Sequence, residues 1–569
     1  MVTLAKVAVS IHPTPDAIGD GWVAATGELT RPAARTFALP RLRRRALPYA
    51  DGLLTWTAAA VSIVAFGIFL RTSLPSAGFW DTAEAQTVPH TLSIFHPTGF
   101  PTYAMLGWLW SQIPLGDVAW RMNAFSAVCI ALSAGFVVLI TGQLIDERNP
   151  GLRATAAGIA GGVFAFAEET WAIAVRADVH ALNTLFVALL IWLLFCWRAA
   201  EWSGATRAGR WLMAAALVFG VALGNHPLVG LMAFGIAAWL FVVDPGLWRR
   251  WKLWAGCIGL LLLGLATYLY IPIRALTPPE PPLFYARPST FDRMRYLIFA
   301  EQFHGLFDFS NLLGSIGNKW PDASIVLGRQ YLGPGWVLAA IGAATLAVRH
   351  LGAFFFLGLI VAADIVYSMN FNDGDINRYY VPALVATAPM IGVAVAMIGG
   401  ALARTAAQAS RRFARIARIA GRRRLASTAA VATLSLAMAL PVGTVVVNYQ
   451  PADQSDNRVA DQWVASVYRA LPQKAVIISW WSYSTPLWYH RWILGERPDV
   501  TIIDERNILD DGYGTIDATI RTFLRKDLPV YVVPPDWDRD RLVATFSTEW
   551  VPTIPLFSSL LHIRNQPPS

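Results

Sequence analysis

The sequence contains little charge and little cysteine. Only 15% of its 569 residues are charged, 55% are hydrophobic, and the mean hydropathy is +0.45. This composition is typical of a membrane protein and argues against a soluble one. The three cysteines, Cys129, Cys196 and Cys257, lie far apart inside apolar runs. They match neither a disulfide framework nor zinc-ligand spacing, so we interpret them as small buried hydrophobic residues.

The sequence also lacks the patterns of nucleic-acid and nucleotide binding. Its net charge is +9, but a basic chain this apolar is better explained by membrane topology, and no nucleic-acid partner is predicted. The C-terminal part contains no G-x-G-x-x-G or P-loop motif. No apolar segment follows Met1 closely, so a cleaved signal peptide is not expected. Residues 1–50 are predicted to form a disordered, basic cytoplasmic tail.

Long apolar runs are abundant. A helix of about 20 apolar residues crosses a bilayer. The sequence therefore predicts a multi-spanning α-helical membrane protein, with about eleven transmembrane helices within residues 51–448. The runs lie at about 53–70, 122–144, 154–174, 180–197, 211–224, 227–243, 253–273, 334–348, 352–369, 381–402 and 427–447.

Arginine and lysine predict the orientation of these helices, because cytoplasmic loops are enriched in them. With a cytoplasmic N-terminus, the alternate loops that face inside hold most of the basic residues, and 404–424 is the most basic stretch. The outer loops are then 71–121, 274–333 and 370–380. We expect a multi-pass protein of the plasma membrane.

The composition changes after residue 448. Apolar runs shorten to strand length at 475–480, 500–504 and 530–533, and helical patterns alternate with them at 459–467 and 516–524. This alternation predicts a small α/β domain over residues 449–569, on the extracytoplasmic side.

Unusual polar residues fall at one level of the predicted topology, on its outer side. Ionisable groups at membrane depth are costly unless they are paired or face a polar cavity. We therefore expect a shared, outward-facing polar cavity. The candidate residues are Asp81, Glu84, His96, Arg121, Arg176, Asp178, His180, Asn225, His226, Arg274 and Arg378.

The residue types in this set suggest a group transfer. Asp81 or Glu84 could take the proton from an attacking hydroxyl as a general base. Arg176, Arg274 and Arg378 could hold an anionic phosphate, since guanidinium stays charged and presents forked donors. Salt bridges to nearby acids are an equally simple explanation of each arginine.

No metal site is predicted. Asp373-Gly374-Asp375 offers hard oxygen ligands for a divalent cation. The same residues are ordinary turn formers in an Asn-rich loop, which is the favoured interpretation. Asn225-His226 lacks a second histidine at ligand spacing, so a structural hydrogen bond is favoured over zinc. No cofactor is expected to be required.

Several motifs resemble the membrane-protein family known as domain-of-unknown-function family 2723, whose vertebrate relative is a transmembrane protein O-mannosyltransferase. Asp81–Pro101 contains D-x-x-E followed by H-P-T-G-F-P, close to the family's D-[ST]-G-E and H-P-P-G-[YF]-P. Ala83 replaces the usual glycine, and Phe284–Pro288 stands where an Asn-Trp-Gly-like turn is expected. The other matches are R-M-N-A-F-S-A at Arg121–Ala127, V-R-A-D-V-H-A-L-N at Val175–Asn183, G-N-H at Gly224–His226 and Y-I-P-I-R at Tyr270–Arg274.

That family is similar to the GT-C glycosyltransferases. The resemblance implies a membrane enzyme that moves a sugar, mannose in the leading hypothesis, from a polyprenyl-phosphate donor to a protein or cell-envelope acceptor on the outer side. It implies Asp81 as the essential acid, with Glu84 as its neighbour. Two alternatives remain open: a transporter or flippase of a lipid-linked or polar substrate, and a non-catalytic envelope scaffold.

Overall fold

The computed structural model describes residues 52–307, 311–412, 422–554 and 560–564. The predicted tail, residues 1–50, lies outside the described residues, as does part of the basic stretch 404–424. The α-helices are Gly52–Arg71, Asp81–Thr91, Pro101–Ser111, Val118–Leu144, Pro150–Ala165, Glu168–Ala174, Val179–Ser203, Gly209–Leu223, Met232–Val243, Trp251–Leu265, Tyr270–Leu276, Phe291–Ile298, Leu312–Gln330, Pro334–Arg349, Leu351–Asn370, Val381–Arg412, Arg422–Ala452, Val459–Ala470, Trp481–Trp492, Ile516–Leu524 and Asp536–Thr545.

The predicted apolar runs form helices, but the predicted count of eleven spans is not confirmed. Within the described ranges, six helical segments are long and apolar enough to cross a membrane. Leu312–Gln330 and Pro334–Arg349, bent by 93°, would together make a seventh. The run at 154–174 is broken between two helices near Phe166, so it offers no single long segment. The six segments are Gly52–Thr72, Val118–Leu144, Val179–Ser203, Trp251–Leu276, Leu351–Asn370 and Ile376–Ala406.

Small residues allow the long helices to approach closely. Val118–Leu144 packs against Gly52–Arg71, Pro150–Ala165 and Val179–Ser203 in the centre of the bundle. At Gly342, a Cβ atom would lie only 1.8 Å from the carbonyl oxygen of Met390, so only glycine permits this helix contact. Close backbone approach at small residues is the usual packing device of membrane helices.

The α/β domain predicted after residue 448 contains one five-stranded sheet. Its strands are β1 (Val476–Ser479), β2 (Thr501–Asp504), β3 (Val530–Val533), β4 (Thr548–Val551) and β5 (Leu560–Ile563). The order is β2-β1-β3-β5-β4. β1 pairs in parallel with β2 and β3, whereas β5 is antiparallel to β3 and β4. The three strands predicted from sequence are confirmed, and β4 and β5 were not predicted.

Helix packing joins this domain to the first loop of the membrane part. Trp481–Trp492, the helix that follows β1, lies against Asp81–Thr91. The hydroxyl of Tyr489 accepts a hydrogen bond from the Ala119 backbone N–H at 3.0 Å. The C-terminal domain therefore packs, through this helix, against the segment that carries the candidate acids.

Candidate active site

Asp81 opens a helix immediately after the first membrane segment. The helix Asp81–Thr91 has both Asp81 and Glu84 in its first turn, where negative charge is favoured by the helix dipole. Asp81 is half-buried, whereas Glu84 is only 1% exposed. The two acids therefore occupy different environments although they lie three residues apart.

Two donors from distant parts of the chain hold the Asp81 carboxylate. Its Oδ2 accepts a hydrogen bond from Arg378 at 2.8 Å, and its Oδ1 accepts one from the Trp481 indole Nε1 at 3.0 Å. Burial by itself would raise the pKa of Asp81, but the Arg378 charge and these hydrogen bonds hold that pKa well below its ordinary value. Asp81 is thus a carboxylate across the neutral pH range.

Glu84 is bound to His96. One Glu84 oxygen accepts the His96 backbone N–H at 2.9 Å, and the other lies 2.5 Å from His96 Nδ1. Burial would lower the pKa of His96, but the adjacent Glu84 carboxylate raises it above the ordinary value. The contact fixes the turn that follows the helix and orients the imidazole ring toward Trp481, whose centroid is 5.4 Å away.

A cavity of about 1260 Å³ opens beside Asp81. It is larger than the usual range of small-ligand sites, roughly 300–1,000 Å³. Its walls come from the first outer loop, the turns near residues 176 and 226, the segments 298–307 and 371–379, and the C-terminal domain. The structure brings six of the predicted site residues to this wall: Asp81, His96, Arg176, His180, His226 and Arg378.

The two predicted arginines of the wall are paired with carboxylates. Arg378 contacts Asp81 at 2.8 Å, Asp178 at 3.6 Å and Asp375 at 3.5 Å. Arg176 contacts Asp178 at 3.7 Å and Asp375 at 3.4 Å. Asp178 itself is buried and caps the helix Val179–Ser203 by accepting the His180 backbone N–H. The positive charge expected there for phosphate binding is largely neutralised.

The structure does not bring Arg121 or Arg274 to the cavity wall. The Arg121 guanidinium donates to the carbonyl oxygens of Ser111 and Ile113, at 2.5 and 2.8 Å. Arg274 donates to the Leu92 carbonyl at 2.7 Å. Both side chains hold loop backbone in place, and this use of their donors explains why they point away from the cavity.

Asn225 and His226 make local hydrogen bonds. Asn225 is buried and donates to the Val179 carbonyl at 3.2 Å. His226 Nδ1 accepts the Leu228 backbone N–H at 3.1 Å, and its ring stacks on Phe100 with centroids 5.6 Å apart. The pair therefore shapes the cavity wall through structural contacts.

One group of side chains in the described part of the chain has the spacing of a metal site. Ligand atoms of Asp81, Glu84 and His96 lie within 4.8 Å of one another. The Arg378 guanidinium already places a positive charge on Asp81, and Glu84 already binds His96. A cation would have to compete with both contacts. The other acidic segment considered for a cation, Asp373-Gly374-Asp375, forms a turn in which the Asp375 backbone N–H donates a hydrogen bond to the Asp373 carboxylate.

The C-terminal domain contributes three wall residues that the sequence analysis missed. Trp480 and Trp481 directly follow β1, and Arg506 follows β2. β1 and β2 are adjacent parallel strands, so their carboxyl ends meet at one edge of the sheet, where ligands commonly bind. The residues that follow β1 and β2 could have been identified by this rule from the sequence, because both strands were predicted.

Comparison with known proteins supports a relationship to transmembrane O-mannosyltransferases. Residues 81–249 match the family model for the N-terminal domain of protein O-mannosyl-transferase TMEM260. The mouse protein of that name is 24% identical over 499 residues, which cover 82% of this chain and 65% of the mouse protein. A *Dictyostelium discoideum* homologue is 26% identical over 220 residues, 36% of this chain and 26% of that protein. The chain thus spans just under two thirds of the mouse relative.

Solved structures identify the fold. ArnT from *Cupriavidus metallidurans*, bound to undecaprenyl phosphate, aligns with a TM-score of 0.53 at 16% identity, covering 89% of this chain and 97% of ArnT. This chain has the ArnT fold. Apo ArnT aligns over the same shares with a TM-score of 0.54. The predicted architecture, a helical membrane part followed by a small α/β domain, is therefore confirmed.

Proposed function

We propose that this chain is a membrane glycosyltransferase that moves a sugar from a polyprenyl-phosphate donor to a hydroxyl group of a protein or cell-envelope glycan on the outer side of the plasma membrane. Mannose is the proposed sugar, because the relatives from mouse and *Dictyostelium* are named protein O-mannosyl-transferases. A lipid-phosphate donor fits the ArnT likeness, since ArnT was solved with undecaprenyl phosphate. The relation to domain-of-unknown-function family 2723 belongs to the same proposal.

The observation that carries the proposal is the placement of Asp81, on the cavity wall and bound by Arg378 and Trp481. It is a carboxylate on the wall of a large cavity, and its pKa is depressed by Arg378 and Trp481. A carboxylate can accept the proton of an acceptor hydroxyl as that oxygen attacks the sugar carbon. Glu84 is buried and bound to His96, so its role is to position the loop around Asp81.

The test is transfer by the purified full-length protein, given radiolabelled polyprenyl-phosphate mannose and envelope acceptors. We expect Asp81→Asn to lower transfer by about 100-fold or more, as removal of a general base typically costs 10²–10⁴. Asp117→Asn is the matched control: Asp117 is an exposed N-cap outside the cavity wall, and asparagine caps equally well.

Two results would contradict the proposal. One is transfer by Asp81→Asn at the rate of the parent protein. The other is the movement of intact lipid-linked sugar across vesicle membranes without transfer to an acceptor, which would favour a flippase.

A further inference from the structure

Arg506 projects from the C-terminal domain into the cavity wall. It lies in the short 3₁₀ helix Glu505–Asn507, directly after the carboxyl end of β2. Its side chain is exposed, and its guanidinium carbon lies 5.0 Å from the centroid of the Trp481 ring. The same indole donates its N–H to Asp81 at 3.0 Å. One tryptophan thus separates the Arg506 charge from the candidate base.

Arg506 differs from the other arginines of the wall in its partners. Arg176 and Arg378 share the carboxylates Asp178 and Asp375, and Arg378 also binds Asp81. In the part of the chain that the structure describes, no carboxylate oxygen lies within 4.0 Å of the Arg506 guanidinium. An anion can therefore approach Arg506 without meeting a bound carboxylate first.

The acids next to Arg506 in sequence do not neutralise it directly. Asp504 is buried, and its carboxylate accepts the Arg506 backbone N–H at 3.0 Å, which caps the short helix. Burial raises the pKa of Asp504 to about 6 and that of Glu505 to about 7. The forked donors of the guanidinium remain available to a ligand, and they match phosphate oxygens well.

We propose that Arg506 binds the phosphate group of the lipid-linked donor, so that the C-terminal domain completes the donor site. The inference rests on the proposed function and adds a named phosphate contact to it. It shifts the phosphate site from Arg176 and Arg378, which are paired with carboxylates, to Arg506 beyond β2.

This placement suits the charge that develops during transfer. The acceptor oxygen forms a bond to the sugar carbon C1 and gives its proton to Asp81. The bond between C1 and the phosphate oxygen breaks, and its electron pair stays on that oxygen. The leaving polyprenyl phosphate then carries one more negative charge than the diester donor did. A guanidinium beside that oxygen stabilises the leaving group as it forms.

Binding of polyprenyl monophosphate to the purified full-length protein in detergent tests the inference without requiring transfer. We expect Arg506→Gln to weaken this binding by about tenfold or more, because the variant loses charge-assisted hydrogen bonds to the phosphate oxygens. Arg521→Gln is the matched control. Arg521 belongs to the same domain and also stacks on an aromatic ring, that of Phe546 at 4.9 Å, but lies outside the cavity wall.

Competition by inorganic phosphate and by phosphatidylglycerol identifies which kind of phosphate-containing ligand Arg506 recognises. If Arg506 serves the polyprenyl donor, inorganic phosphate and phosphatidylglycerol should displace the labelled polyprenyl phosphate only weakly. Equal displacement by phosphatidylglycerol would overturn the assignment in favour of a general lipid-headgroup contact, and equal displacement by inorganic phosphate in favour of free phosphate.

The outcomes for the inference and for the proposed function are distinct. If Arg506→Gln binds polyprenyl phosphate as tightly as the parent protein does, the inference is overturned, even where transfer is observed. It is also overturned if the parent protein binds no polyprenyl phosphate. Arg506-dependent binding in a protein that transfers no sugar supports the inference and counts against the glycosyltransferase. The folding control is thermal unfolding. If Arg506→Gln unfolds at the same temperature as the parent protein, a loss of binding comes from the missing guanidinium and not from a loss of folded protein.

Discussion

At the scale of single residues, the ionisation of Asp81 depends on partners far away in sequence. Arg378 lies 297 positions from Asp81 and Trp481 lies 400 positions from it, yet each bonds one carboxylate oxygen. The guanidinium favours the charged form, which is the form that a base needs. The pH dependence of the reaction should therefore report on these two partners.

Arg378→Gln should shift the acid limb of the pH–rate profile to higher pH. With the guanidinium gone, burial is less opposed, the pKa of Asp81 rises, and the base becomes protonated at a pH where it was ionised before. The expected displacement is roughly one pH unit or more, since an adjacent opposite charge lowers a carboxyl pKa by about 1–3 units. The measurement is kcat/KM for sugar transfer from pH 3 to 8. The parental rate should stay level to the acid end of this range, whereas the rate of Arg378→Gln should fall within it, because burial is then the largest influence left on the Asp81 pKa.

Arg176→Gln serves as the comparison in that experiment. Arg176 shares Asp178 and Asp375 with Arg378, but within the described part of the chain it forms no ion pair with Asp81. We expect the acid limb of the Arg176→Gln pH–rate profile to stay at the parental pH. An Arg378→Gln profile superimposable on the parental one would show that Arg378 does not set the Asp81 ionisation.

Transfer should persist after metal removal. Arg378 already supplies positive charge beside Asp81, and Glu84 and His96 already satisfy each other. We expect dialysis against EDTA to change the transfer rate by less than about twofold, because no charge in this proposed mechanism is left for a cation to balance. Activity that disappears with EDTA and returns with Mn²⁺ or Mg²⁺ would instead assign the Asp81, Glu84 and His96 group to a metal.

The sequence predicted which residues gather at the cavity better than it predicted what each one does. Topology places loops on one side of the membrane, and this sufficed for Asp81, His96, Arg176, His180, His226 and Arg378. It does not give the direction of a side chain. Arg121 and Arg274 lie near helix ends, in Val118–Leu144 and Tyr270–Leu276, and backbone carbonyls within reach take their donors.

At the scale of elements, the helix Trp481–Trp492 couples the sheet to the first outer loop. Its first residue binds Asp81, and Trp481 is only 1% exposed. Rings of Tyr285, His96 and Trp488 pack around the indole, with centroids between 5.4 and 5.7 Å away. These contacts fix the position of the donor N–H.

Trp481→Phe should slow transfer while leaving acceptor binding nearly unchanged. Phenylalanine keeps an aromatic ring in the packed site but removes the N–H that holds Asp81. A hydrogen bond to a charged group contributes about 1.5–3 kcal/mol, so we expect kcat to fall about tenfold or more. The acid limb should also move to higher pH, because the carboxylate loses a stabilising donor. Transfer assays across pH give both quantities.

Trp488→Phe is the control for that variant. Trp488 belongs to the same helix and packs on Trp481 at 5.7 Å, so it tests the loss of an indole in the same region. A purely structural role for Trp481 would make both variants equally slow and leave both pH profiles in place.

Local patterns predicted the elements that are regular and buried. β1 and β3 are fully buried strands made almost entirely of apolar residues, which is why their sequence signal was clear. β4 is Thr-Glu-Trp-Val with its two central residues exposed, so it carries no apolar run. The predicted count of eleven spans is not confirmed, since several apolar runs in the described ranges form short or interrupted helices.

At the scale of the whole molecule, the proposal requires the cavity and the C-terminal sheet to face the same side of the membrane. The sheet contributes Trp481 and Arg506 to the cavity wall, so the two cannot be separated. The side itself is predicted from the arginine and lysine distribution alone. Lipid-linked sugars outside the cytoplasm would reach the site only in that orientation.

Cysteine labelling in intact cells tests the orientation. We expect Ala544→Cys, on the exposed surface of the C-terminal domain, to react with a membrane-impermeant maleimide in intact cells. Thr206→Cys, in the exposed turn after Val179–Ser203, should react only after the membrane is permeabilised, because that turn belongs to a predicted cytoplasmic loop. The native thiols Cys129, Cys196 and Cys257 are buried, so their background should be low. Labelling of Thr206→Cys but not Ala544→Cys in intact cells would invert the topology and place Asp81 on the cytoplasmic side, where the proposed acceptors are absent.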